Sequence, residues 1–122
     1  MPHEFDRAHF RIQYPPRAQP RFHASAAEAW PVDNCSERGF RYVMSVPEGA
    51  ARPTPPPLGE QVRGRIEFHD GATAAVVGVV VRHDGARVAV RIDGPGVPLP
   101  IIWAEQRFLR SRYPELHGHR DE

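Results

Sequence analysis

The sequence predicts an all-β fold, a small antiparallel β-barrel of five or six strands finished by one C-terminal α-helix. Three observations carry this. Short strand-type segments follow one another with turn residues between them and no helical crossover. Two triplets, His69-Asp70-Gly71 and His83-Asp84-Gly85, mark hairpins on either side of a valine-rich stretch. A single segment of helical period, Ile101 to Tyr113, comes only after the last strand.

The elements follow in order. Residues 1–21 carry Arg7, Arg11, Arg17 and Arg21, and Pro15, Pro16 and Pro20 forbid a continuing helix. This segment is expected to be a mobile, arginine-bearing arm, with Phe5, Phe10, Ile12 and Tyr14 available to dock it. Gln19 to Ser25 and Ala29 to Val32 read as two strands of a meander. Phe40 to Met44 alternates as a half-buried strand does. Pro47 to Gly59 contains five prolines and reads as a surface loop of polyproline character. Gln61 to Phe68, Thr73 to Val81 and Ala86 to Ile92 are strands, the last with Val88, Val90 and Ile92 on one face and Arg87, Ala89 and Arg91 on the other. Asp93-Gly94-Pro95-Gly96 breaks the chain. Ile102, Phe108, Leu109 and Tyr113 then share an apolar helix side, and Pro114 ends it. The expected organisation is an arm over 1–21, a barrel over 22–100, a helix over 101–114 and a disordered tail over 115–122.

At 122 residues the chain suits one domain with one core. Its formal net charge is only +1, which argues against bulk binding to DNA or RNA, including a basic groove for single strands. All sixteen basic residues are arginine, so every cation can make planar, bidentate contacts to phosphate or to a guanine edge. No apolar run approaches the roughly 18 residues of a membrane helix, so no membrane insertion is expected. The polar, acidic N-terminus does not read as a signal peptide, and the expected location is cytoplasmic. Cys35 is the one cysteine and reads as a passive small side chain. No Cys or His partners stand at metal-ligand spacing, Ser36 has no base and acid partners, and no P-loop occurs. The expectation is therefore no enzyme, no metal and no cofactor. His69 and His83 read as exposed turn residues, and Trp103, Phe108 and Tyr113 as barrel-packing residues.

Two motifs remain. Arg7-Ala8-His9-Phe10-Arg11 is an R-x-x-x-R, and Asn34-Cys35-Ser36-Glu37-Arg38-Gly39 is an N-x-S-x-x-G. R-x-x-x-R also occurs at Arg17/Arg21 and Arg87/Arg91 and says little alone. The order and spacing add the information, because 23 positions between Arg11 and Asn34 hold a strand, a turn and most of a second strand. Together the motifs resemble the signature of PilZ domains, which are bacterial receptors for the second messenger cyclic di-GMP. The resemblance covers roughly Phe5 to Tyr113. It implies a six-stranded barrel, cyclic di-GMP as ligand, and a ligand site built from Arg7, Arg11, Asn34, Ser36 and Gly39. Arginine forks suit both the phosphates and the N7/O6 edge of guanine. The motif glycine is expected to permit the turn and the serine hydroxyl to add a hydrogen bond. Secondary candidates are Asp33 as an alternative acceptor, His9 as a stacking ring, and Arg87 and Arg91 if their strand face borders the arm. Many relatives carry an extra arginine where this chain has Asp6. The implied action is a change of shape on binding, passed to an unidentified protein partner. The alternative is a ligand-free adaptor of the same fold that works by protein contacts only.

Overall fold

The computed structural model describes residues 11–25, 28–51 and 53–113. Among these residues there are seven strands and one helix: β1 (Ile12–Gln13), β2 (Arg21–His23), β3 (Ala29–Cys35), β4 (Gly39–Val43), β5 (Gln61–Glu67), β6 (Thr73–Asp84), β7 (Arg87–Ile92) and α1 (Leu99–Arg112). All pairings are antiparallel. The order β3-β2-β5-β6-β7-β4 closes on itself through β3–β4, so six strands form a barrel without a free edge. β1 is an extra strand. It pairs with β3 beside the stretch that β2 occupies, with Ile12 opposite Cys35 and Gln13 opposite Asn34. This is the expected six-stranded barrel with a C-terminal helix.

Alternation fills the interior. Phe22, Val32, Phe40, Tyr42, Ile66, Val76, Val80, Val88, Val90 and Ile92 all point inward. Phe22 sits at the centre, its ring 4.9 Å from that of Phe40 and 5.0 Å from that of Tyr42. From the helix, Ile102, Glu105 and Leu109 turn inward at i, i+3 and i+7. No helix among the described residues is long and apolar enough to cross a membrane.

The structure departs from the sequence reading at several points. The expected arm over 1–21 is docked from residue 12 onward: β1 is paired, and Ile12, Tyr14 and Ala18 are buried. The three prolines do forbid a helix, but they do not forbid a strand of two residues followed by a tight bend, in which Ala18 N–H donates to Pro15 O. β3 runs three residues further than expected, because a register shift between Val32 and Asn34 lets polar residues continue the ladder. β6 likewise reaches Asp84, past a shift between Val80 and Arg82. The helix begins two residues early, since Pro100 falls in the first turn, where its missing N–H has no intrahelical partner to lose. Trp103 is half exposed and does not pack on the barrel, whereas Phe108 and Tyr113 do, partly buried. His69 is not an exposed turn residue; its ring stacks on Phe108 with centroids 4.2 Å apart.

Candidate functional site

The outer face of the barrel carries a row of side chains across four strands. The register sets Asn34 opposite Arg41, Arg41 opposite Ala89, and Ala89 opposite Arg82. The adjacent outward position pairs Gly39 with Arg91. Large residues alternate with small ones along these rows, and the small ones leave a hollow. The result is a concavity of about 820 Å³, within the roughly 300–1,000 Å³ usual for ligand sites. Its lining includes Arg11, Arg38, Arg41, Arg82 and Arg91, with Asn34, Ser36 and Gly39, over an apolar floor that includes Val81 and Ala89. Val81 is 47% exposed, and the β6 irregularity lets Arg82 face outward beside it, opposite Ala89. Among the described residues, no carboxylate lines the hollow.

Arg11 and Asn34, the last residue of the first motif and the first of the second, meet here: Arg11 Nη1 donates to Asn34 Oδ1 at 2.7 Å. Asn34 is almost fully buried, so its amide fixes the guanidinium at the rim. Ser36 and Gly39 close the β3–β4 turn, with Ser36 N–H donating to Gly39 O at 2.8 Å. The Ser36 hydroxyl donates to Gly39 O at 3.4 Å and accepts from Arg38 N–H at 3.3 Å, which makes it a cap of this turn. Gly39 does not have a positive φ. Glycine is needed there for closeness: a Cβ would lie 2.9 Å from Val90 O on β7. The turn is braced from behind, where Val97 N–H donates to Glu37 O and Ile92 N–H to Arg38 O.

The secondary candidates separate. Asp33 does not line the hollow. It lies at the β3 irregularity and accepts from Arg41 Nε at 2.8 Å, Arg41 Nη2 at 3.2 Å and Arg87 Nε at 3.2 Å. Arg87 is thereby drawn to Asp33 and is also outside the lining, whereas Arg91 is within it. Arg7 and His9 lie outside the described residues. Arg38, Arg41 and Arg82 were not singled out from the sequence. Arg41 was readable, since it alternates with the inward Phe40 and Tyr42; Arg82 was not, because the irregularity before it breaks the alternation. Arg11, Arg38 and Arg82 have no carboxylate partner among the described residues, and Arg38 Nη1 donates to Gly94 O at 3.3 Å.

Cys35 is fully buried beneath the site. Burial, reinforced by the negative charge of Glu105 and opposed by Arg11, pushes its thiol up to about 12. It is a packing residue, as its sequence context suggested. No group of three or more His, Cys, Asp or Glu that could hold a metal occurs among the described residues.

The fold and this face define a class first: a small closed barrel that presents a concave, arginine-lined surface beside a tight Asn-Ser-Gly turn. The family model for the PilZ domain matches residues 5–99, and the chain belongs to that family. Among solved structures it is similar to the PilZ domain with c-di-GMP of YcgR from Escherichia coli, at 15% identity and a TM-score of 0.56, covering 93% of this chain and 96% of that one. At that identity the likeness bears on the fold. A search of curated proteins gives no match.

Proposed function

We propose that this protein is a receptor for cyclic di-GMP and that the ligand sits in the arginine-lined hollow. The carrying observation is the Arg11–Asn34 contact, which brings both halves of the motif pair to the edge of one concave, arginine-lined surface. Membership of the PilZ family and the printed ligand of the similar YcgR domain support the same reading. Arg11 and Arg7, four positions apart, are assigned to the phosphates and a guanine edge, and Asn34 to holding Arg11 and meeting a base with its amide N–H₂. Ser36 and Gly39 are assigned to the shape of the turn. Arg38, Arg82 and Arg91 add positive charge around the ring of phosphates, and Val81 offers an apolar surface to a base. The reading includes a cytoplasmic, non-enzymatic protein that signals through a protein partner.

Titration calorimetry tests the ligand. Saturable binding of cyclic di-GMP is expected, with much weaker binding of cyclic di-AMP, whose adenines lack the O6 acceptor that arginine forks engage. Replacing Arg7 and Arg11 together by Ala should abolish measurable heat, because each charge-assisted contact is worth about 1.5–3 kcal/mol. Wild-type affinity in that double variant, or no binding by the wild type, overturns the assignment. The second result leaves a ligand-free adaptor.

A further inference from the structure

The segment that carries Arg11 is tied at its other end to the C-terminal helix. Arg11 reaches Asn34 at the site. Three residues on, roughly 10 Å along an extended chain, the Tyr14 hydroxyl donates to Glu105 Oε1 at 2.7 Å. Between them, Ile12 and Gln13 pair with Cys35 and Asn34, and Tyr14 N–H donates to Asp33 O at 3.0 Å. Glu105 is a carboxylate on α1 and is only 1% exposed. It is held by donors from two other elements: Tyr14 on one side, and His69 on the β5–β6 turn on the other. His69 gives its backbone N–H at 3.1 Å and its ring Nδ1 at 2.8 Å. A carboxylate only accepts, so Nδ1 carries the proton. His69 Nε2 is buried without a hydrogen-bond partner among the described residues. A buried carboxylate is costly unless its bonds are made, so the three donors act together. Burial and the neighbouring Glu105 hold the Tyr14 hydroxyl well above its ordinary value, so it remains a donor.

We propose that Tyr14, Glu105 and His69 form a latch that positions the Arg11 segment at the site and makes the C-terminal helix respond to whether that site is filled. A barrel this small needs no buried carboxylate for stability, and an apolar residue at position 105 would pack as Ile102 and Leu109 do. Glu105 instead makes docking of the helix depend on where β1 lies. Whatever holds β1 against β3, including a ligand gripped by Arg11, strengthens helix docking. By linkage, loss of docking weakens the grip by the same factor. The helix side of this inference stands on the ligand-free protein; its response to cyclic di-GMP rests on the receptor reading above.

The test is amide hydrogen exchange on the full chain, wild type and Tyr14→Phe, with and without cyclic di-GMP. The phenylalanine keeps the ring and removes one donor, while both His69 bonds remain to hold Glu105. Without ligand, the variant should exchange faster by roughly tenfold over residues 12–14 and 101–112 together, the loss of one buried charge-assisted bond. The β6–β7 amides, such as those of Val80 and Val90, should not change. With ligand, exchange over 101–112 should slow in the wild type. In Tyr14→Phe that helix response should shrink and calorimetric affinity should fall, both without change in β6–β7. Acceleration confined to 12–14, or uniform acceleration through the barrel, overturns the latch, the latter because Tyr14 would then serve only global stability. Binding in the wild type with no slowing over 101–112 also overturns it while sparing the receptor reading. Absence of wild-type binding sinks the receptor reading alone, and the ligand-free comparison still decides the latch. Glu105→Gln provides a second variant: its effects should match those of Tyr14→Phe in location and exceed them in size.

Discussion

Replacing Asp33 distinguishes a ligand group from a scaffold. The structure makes it a scaffold: its carboxylate is nine-tenths buried and takes both oxygens' worth of bonding from Arg41 and Arg87. The Arg41 fork is two charge-assisted bonds, each about 1.5–3 kcal/mol when fully buried. Arg41 is one-third exposed, so solvent screening lowers the pair to about 2–3 kcal/mol in total. Arg87 is more than half exposed and adds well under about 1 kcal/mol. Asp33→Asn keeps one acceptor and should cost about 2 kcal/mol, and Asp33→Ala about 3 kcal/mol. Urea unfolding, followed by tryptophan fluorescence, measures both. A double-mutant cycle with Arg41→Ala should return a coupling of about 2–3 kcal/mol, since the partners are in contact. For cyclic di-GMP, Asp33→Asn should lose no more affinity than Arg41→Ala, and the two losses should not add. If Asp33→Asn is as stable as wild type yet loses binding by itself, the carboxylate meets the ligand directly and is not a scaffold.

Three further outcomes are expected. Arg82→Ala and Arg91→Ala should each weaken cyclic di-GMP binding by about 1–2 kcal/mol with little change in unfolding midpoint, as half-solvated cations facing phosphate do; calorimetry showing wild-type affinity in both would remove β6 and β7 from the site. Gly39→Ala should destabilise the barrel by about 1–3 kcal/mol, because the added Cβ meets Val90 O at 2.9 Å and the β4–β7 ladder must shift; a thermal melt unchanged from wild type would refute that close approach. Cys35 should resist iodoacetamide at pH 8, where a thiol pushed up to about 12 is roughly one part in ten thousand thiolate, and should label once urea unfolds the chain; labelling of the native protein at the rate of a free thiol would contradict its burial.

Much of the barrel was legible because its strands alternate or end in His-Asp-Gly turns. The inward set Phe40, Tyr42, Val88, Val90 and Ile92 follows from period alone. What was not legible shares one cause: a contact made far along the chain that overrides local pattern. β1 is two residues long and exists only because the β3 edge is there to receive it. Asp33, Asn34 and Ser36 are buried polar residues at the end of β3, and nothing local says that Arg41 and Arg87 neutralise the first of them. Glu105 looks like a solvent-facing residue of an amphipathic helix; its donors are 91 and 36 positions away. The motif residues stood out because their spacing is a family signature, while the contacts two of them make were not visible in it. Ser36 caps the turn, and Gly39 clears a neighbouring strand.

Net charge shows the same difference between sum and arrangement. A formal charge of +1 weighed against a polyanionic partner. The fold nevertheless gathers five arginines around one hollow, with no carboxylate in its lining among the described residues. The carboxylate of Asp33 is engaged by Arg41 and Arg87, so it steadies one guanidinium of the site and draws another away. The resulting field is short-ranged, since screening at physiological salt acts over about 8 Å. It suits a compact anion that several forks can reach at once and does little for an extended polyanion, which needs a continuous basic track. Near neutrality overall and a concentrated positive hollow are therefore compatible, and together they favour a small phosphate-bearing ligand over nucleic acid.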